Sequence, residues 1–336
     1  LLLSTKVLAV RIFSVVLATL LLLLACTSAA SAKSPNRWIT GKTWNIAHQG
    51  GEDEFPSNTM YAFKRSLKAG ADMLELDIGV TKDNQVIVMH DTTVDRVTNG
   101  KGLVSEMTLK QIQKLDGAYW FSRGENAYRH DRKKSSYRFR GVALGKRKAP
   151  KGFKASDFRV TTLKQVLKAF PKTPINIEIK GRTKAEEISE YVKNAEVLAR
   201  LLKKSKRKDL IVVSFKQDAV NRFHELAPKI DTAPGLEGSA AFLLSSVPVP
   251  AGSAALQLPV TYRLDGTLLE VGSEALIKTA HDSNLAWHSW FGNEDSDSAA
   301  SWKLLTSRCA DGIMTAKPTA LERVLRKYQR AKSCPR

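Results

Sequence analysis

The sequence predicts an α/β fold, a (β/α)8 TIM barrel with a basic-aromatic insertion after the third strand. Short apolar runs rich in Val, Ile and Leu alternate with amphipathic helical segments between Trp44 and Tyr328, the pattern of a parallel sheet covered by helices. The unit recurs about eight times, which favours a closed barrel over an open sheet. Acidic residues and histidines (His48, Glu75, Asp77, His90, Glu178) fall at or one residue inside the ends of these runs, where a barrel carries its chemistry.

Residues 1–32 read as a targeting segment. Lys6 and Arg11 precede the apolar run Ile12–Ala25, and Ala30-Ser31-Ala32 offers an A-x-A cleavage site. The run is shorter than the roughly 20 residues of a membrane-spanning helix. Leu23-Leu24-Ala25-Cys26 also resembles a bacterial lipobox. The expectation is a chain secreted, or lipid-anchored through Cys26 on the outer face of the cytoplasmic membrane. Residues 33–43 read as a polar linker, 44–330 as the barrel and 331–336 as a tail.

Trp44–Ala47 is the first strand, and a helix starting near Asn58 carries Met60, Phe63 and Leu67 on one face before Gly70 closes it. Met73–Ile78 and Val86–Met89 are strands two and three. Thr108 and Gln111 make a capping box for the helix of Leu109, Ile112 and Leu115. Residues 117–160 lack periodicity and mix aromatic with basic residues, as a binding insert or a loop that packs. Thr162 and Gln165 cap the next helix, and Ile175–Ile179 is strand four. A helix over Lys184–Lys204, strand five (Leu210–Phe215) and a helix with Val220, Phe223 and Leu226 follow. Ala240–Val247 and Ala255–Val260 read as strands six and seven. Ser273 opens a helix, Leu285–Trp290 and Gly312–Thr315 are the last strands, and Thr319–Tyr328 is the final helix.

The 336 residues are 43% hydrophobic and 26% charged, as in ordinary globular proteins, but the formal net charge is +20. That excess implies an anionic partner: a phosphate ester, an anionic membrane or wall surface, or nucleic acid. No nucleic-acid module is visible, so nucleic acid is not expected. Nothing in the sequence sets the oligomeric state. With Cys26 removed or lipidated, Cys309 and Cys334 remain as a candidate disulfide in an oxidising compartment, or as two free thiols.

Side chains alternate along a strand, so Glu75 and Asp77 share a face. Two carboxylates together on a buried face are costly unless a cation lies between them. A rim carboxylate or a structural histidine is the commoner reading of either stretch alone. Three runs ending in acid and imidazole make a metal-assisted site the better one.

The run His48-Gln49-Gly50, Pro56-x-Asn58-Thr59, Glu75-Leu76-Asp77, His90-Asp91 and Glu178-Ile179-Lys180 resembles the glycerophosphodiester phosphodiesterase family, over residues 44–328. Trp290 and Asp311-Gly312-Ile313-Met314-Thr315 agree. The resemblance implies hydrolysis of a glycerophosphodiester to an alcohol and glycerol 3-phosphate. It implies that Glu75, Asp77 and Glu178 hold one divalent cation and that His48 and His90 are the acid/base pair. Gln49, Asn58, Lys180 and Trp290 would meet the substrate. Three carboxylates suit Ca²⁺ or Mg²⁺. Thr173-Pro174 before Asn176-Ile177-Glu178 is similar to lysophospholipase D members, and a wall glycerophosphate polymer is a further substrate class. Gln49 stands where the family usually has Arg, and Ala316-Lys317 replaces an acidic-basic pair. A phosphatidylinositol-type phospholipase C would pair two histidines without the carboxylate trio, and a degenerate, non-catalytic surface binding protein would need neither. His130, His224 and His281 read as structural, whereas His288 shares parity with Trp290.

Overall fold

The structure is a computed structural model that describes residues 35–125, 127–182, 189–264 and 266–335. The targeting segment and the Cys26 lipobox lie outside the described residues. So do the first turns of the helix expected from Lys184.

Strand β1 (Trp44–Ala47) leads to α1 (Met60–Ala69), whose start is capped by the Thr59 side chain and whose end is closed by left-handed Gly70. Strand β2 (Met73–Val80) is followed by β3 (Val86–Val88), then the short helix α2 (Leu109–Ile112) and α3 (Leu163–Ala169). Thr108–Gln111 and Thr162–Gln165 are both reciprocal capping boxes. Next come β4 (Ile175–Ile179), α4 (Ser189–Leu202), β5 (Leu210–Val213), α5 (Gln217–Leu226), β6 (Asp231–Thr232) and α6 (Leu236–Ser245). Strand β7 (Ala255–Pro259) runs into a hairpin, β8 (Thr261–Leu264) and β9 (Thr267–Glu270). Helix α7 (Glu274–Asp282), β10 (Ala286–Trp290), α8 (Ala299–Ser307), β11 (Gly312–Thr315) and α9 (Pro318–Leu325) complete the chain.

Eight parallel strands form the barrel in the order β6-β5-β4-β2-β1-β11-β10-β7, and a parallel bridge between Thr232 and Ser253 brings its two edges together. Outward residues of the strands, such as Leu74, Leu76, Ile177 and Val212, pack under the helices in the main core. Among the described residues, no helix is long and apolar enough to cross a membrane.

Four expectations are corrected. The third apolar run is not a barrel strand: β3 pairs antiparallel with the distal half of β2, with Ile78 opposite Val88. The five residues between the two strands are too few for the crossover that parallel pairing requires. Residues 240–245 belong to α6, with Ser246 capping its end, because an apolar run of that length is equally compatible with a helix. The true sixth strand has two residues, too few to show a period. The hairpin β8–β9 was not foreseen, although Asp265-Gly266 is a strong hairpin signal. The supposed linker is anchored: Trp38 is 1% exposed and packs with Met73, Ala255 and Ala286 at the N-terminal end of the barrel, its Nε1 donating to Asp231 at 2.8 Å.

The insertion is a folded layer. Phe121, Tyr128, Phe139 and Phe158 are buried with Tyr61 of α1 in a second core, and Tyr61 stacks on Phe158 at 4.5 Å. Most of its aromatic residues are therefore spent internally and its lysines face out, while Arg140 packs over Tyr119, Trp120 and Tyr137.

Candidate active site

The inward parity of β2 sets the site. Met73 points into the lower barrel, and Glu75 and Asp77 follow at the same parity. Register places Asp77 beside Glu178 and Glu75 beside Asn176 on β4. The carboxylates of Glu75, Asp77 and Glu178 consequently offer three oxygens within 4.8 Å of one another.

Two histidines flank them. His48 follows β1, and its Nδ1 lies 2.5 Å from Glu52 Oε1 while Nε2 lies 4.0 Å from Glu75 Oε2. His90 arrives by the hairpin: β2 overshoots the rim, β3 folds back along it, and Met89 N–H donates to the Asp77 carbonyl at 2.9 Å. His90 Nδ1 then meets Asp91 Oδ1 at 2.9 Å, and Arg96 clamps that carboxylate through Nε at 2.6 Å and Nη2 at 2.8 Å. Each ring thus has one nitrogen committed to a carboxylate, which fixes its orientation and leaves Nε2 for a ligand.

Gln49 and Asn58, expected at the substrate, sit behind the carboxylates. Gln49 has left-handed backbone geometry (φ 49), and its N–H donates to Glu75 Oε2 at 2.6 Å. Asn58 Nδ2 donates to Asp77 Oδ2 at 2.9 Å. Both are buried, and neither lines the main cavity. Lys180 and Trp290 do line it. Lys180 Nζ lies 2.6 Å from Glu178 Oε1, 3.5 Å from Asp77 Oδ1 and 5.0 Å from the Phe215 ring centroid. The cavity, about 690 Å³, has a polar wall at His48, His90 and the carboxylates and an apolar one at Phe215, Leu236, Trp290 and Phe291.

The charge balance bears on a metal. Burial and the neighbouring charge of Asp77 hold the Glu75 pKa well above the usual carboxylate range. Burial raises Glu178 too, partly offset by Lys180. For Asp77 burial acts in the same direction, but the charges of His90 and Lys180 outweigh it and the pKa falls. Burial opposes charge on His48, yet Glu52 and Glu75 lift its pKa well above the ordinary value. One lysine faces three carboxylates: Glu75 Oε1 accepts no hydrogen bond, and Asp77 Oδ1 has only Lys180 Nζ at 3.5 Å. Buried carboxylate oxygens that outnumber the donors around them are the ligand set a hard divalent cation takes. The residues present therefore fit such an ion.

His288 points inward but below the site. It is 1% exposed, Gln257 Nε2 lies 3.3 Å from its Nδ1, and burial lowers its pKa to about 4. His281 pairs with Asp311 at 2.7 Å and His130 stacks on Trp120 at 4.0 Å. Glu52, Arg96, Phe215 and Gln257 were missed as site residues. Glu52, four residues from His48, was readable from spacing; Arg96 and Phe215 carried no local signal.

Fold and site define the class: a (β/α)8 barrel whose C-terminal mouth holds a carboxylate triad between two oriented imidazoles. Residues 48–320 match the glycerophosphoryl diester phosphodiesterase family, and the chain belongs to it. A glycerophosphodiester phosphodiesterase of Bacillus subtilis is 33% identical over 215 residues, 63% of this chain and 64% of that protein. The human lysophospholipase D GDPD1 is 34% identical over 151 residues, 44% of this chain and 40% of that one. These matches span less than two thirds of either relative. Among solved structures, a glycerophosphodiester phosphodiesterase from Agrobacterium tumefaciens shares the fold with a TM-score of 0.55 at 21% identity, covering 83% of this chain and 99% of that chain. One from Parabacteroides distasonis does so at 0.59 and 16%, covering 85% and 87%.

Proposed function

We propose that the protein hydrolyses glycerophosphodiesters to an alcohol and glycerol 3-phosphate, using one divalent cation, Ca²⁺ or Mg²⁺, outside the cytoplasm. The observation that carries this reading is the convergence of Glu75, Asp77 and Glu178 within 4.8 Å, with Glu75 Oε1 buried and unbonded, between two imidazoles fixed by carboxylates. When bound, the cation supplies Lewis-acid stabilisation of charge on a phosphate oxygen. Glu75, Asp77 and Glu178 hold it; Gln49 N–H and Asn58 keep two of the carboxylates in place. Lys180 offers an ammonium to the phosphate from the cavity wall. His48 and His90 exchange protons with the nucleophile and the leaving alkoxide, a task for which imidazole is suited near neutral pH. The Cys309–Cys334 bond, with a Cα separation of 5.4 Å, supports an oxidising setting.

The apolar wall at Phe215, Trp290 and Phe291 favours a second substrate class, lysophospholipids, whose acyl part would lie there. Phosphorus NMR of glycerophosphodiesters, lysophospholipids and a glycerophosphate polymer, with and without chelator, tests both. The expected result is a phosphomonoester released only without chelator: glycerol 3-phosphate from the glycerophosphodiesters, or its acyl ester from the lysophospholipids. Turnover that survives chelation, or none on any member of the panel, contradicts the proposal.

A further inference from the structure

Hairpin β8–β9 extends from the C-terminal end of β7, and its base meets the cavity rim through Val260 N–H and the Trp290 carbonyl at 3.1 Å. Pairing puts Tyr262 opposite Leu269 and Leu264 opposite Thr267 on one face, and Thr261 and Arg263 on the other. The second face is tied to the barrel: Thr261 donates to Asp295 at 2.7 Å, Arg263 pairs with Glu294 at 3.2 Å, and Arg308 pairs with Glu270 at 2.6 Å. The first face is left to solvent, with Tyr262 42% and Leu264 43% exposed; Leu268, opposite Arg263, belongs to the second face.

Four strands away on the barrel from β7 lies β2, and the insertion that follows its hairpin partner β3 packs on α1. Residues 117–160 contain thirteen Lys and Arg against three acids, a net +10 and half the charge of the whole chain. The insertion reaches the mouth where Gly124 N–H donates to the Asp53 carbonyl at 2.8 Å. Lys133, Lys134, Lys146 and Lys148 are exposed. The one insertion acid at the rim, Glu125, is paired with Lys317 at 3.0 Å, and the hairpin's acidic neighbours are spent on Thr261 and Arg263.

We propose that this face docks on an anionic lipid bilayer, with the hairpin entering the interface and the insertion meeting the headgroups. Apolar side chains on one side and a polybasic surface on the other are the two contributions that interfacial binding sums. An anionic polymer would use the lysines but give Tyr262 and Leu264 nothing to enter. The setting proposed above is thereby narrowed to a bilayer, and the mouth is held toward it whether or not the pocket turns over a lipid.

The test reads contact without turnover. In the full chain with Cys26→Ser, under non-reducing conditions and with chelator, an environment-sensitive fluorophore is attached at Leu264→Cys, Tyr262→Cys or Lys168→Cys. Lys168 lies on α3, away from the mouth. Vesicles of phosphatidylglycerol with phosphatidylcholine are expected to blue-shift the first two labels and leave the third unchanged. Replacing Lys133, Lys134, Lys146 and Lys148 by Gln should weaken that partitioning at least about tenfold. A melting curve confirms that each variant is folded. Equal shifts at all three positions, no shift at the hairpin, no preference over pure phosphatidylcholine, or lysine variants that partition as the parent would overturn the docking surface.

Discussion

His90 shows how far the site depends on single groups. Its ring is fixed through Asp91 and Arg96, so His90→Ala should lower kcat by about 10²–10⁴-fold, the usual worth of a general acid or base, while the melting temperature stays unchanged. Steady-state kinetics beside a melting curve checks this, and retained turnover removes His90 from the chemistry. His288 yields a prediction of another kind. Its folded pKa of about 4 lies below the ordinary 6.5, so the unfolded chain binds the proton first as pH falls. Its contribution to stability is complete above pH 6.5, is lost between 6.5 and 4, and amounts to roughly 3 kcal/mol. Urea unfolding from pH 7.5 to 4 should show this slope in the parent and a shallower one in His288→Gln. The carboxylates and the two site histidines were legible because strand parity and strand ends are sequence properties. The contacts of Gln49 and Asn58 with the carboxylates were not legible, since they depend on left-handed backbone (φ 49 and 57) that only the folded loop displays.

At the level of elements, the insertion acts as a brace. The Tyr128 hydroxyl accepts from Ser57 N–H at 2.5 Å, and its ring lies 5.1 Å from the Arg96 guanidinium. Ser57 precedes Asn58, which holds Asp77, and Arg96 holds Asp91 and through it His90. Tyr128→Phe removes the hydroxyl and keeps the ring, so it should cost about 1 kcal/mol of stability and lower kcat more than it raises KM. Urea unfolding and steady-state kinetics check both, and wild-type values for both would show that the insertion merely packs. Amphipathic helices with capping boxes were readable, because caps and period are local. Helix α6 was not: its Ala-Ala-Phe-Leu-Leu run has no polar face to betray a period. The hairpin that returns His90 to the rim was likewise read as a parallel strand, since pairing direction is a tertiary property.

On the scale of the whole molecule, the Cys309–Cys334 bond closes a loop over 25 residues between the turn before β11 and the tail. Arg330 adds to that closure by pairing with Asp311 at 2.9 Å, both groups buried. Replacing both cysteines with Ser should cost roughly 2–4 kcal/mol, read as a lower urea midpoint with unaltered metal affinity. The basic charge was visible in the composition, and half of it falls in residues 117–160; that this segment forms a folded layer was not, because its aromatic residues pack against α1, a tertiary property.

The central claim is that three carboxylates, brought together by the register of β2 and β4, bind one cation. Calorimetric titration of chelator-treated protein with Ca²⁺ and with Mg²⁺ tests it most directly. One ion per chain should bind, with affinity at least about 10–100-fold weaker in Glu75→Gln. An absence of binding, or a titration that Glu75→Gln leaves unchanged, would mean that Lys180 and the histidines alone neutralise the cluster.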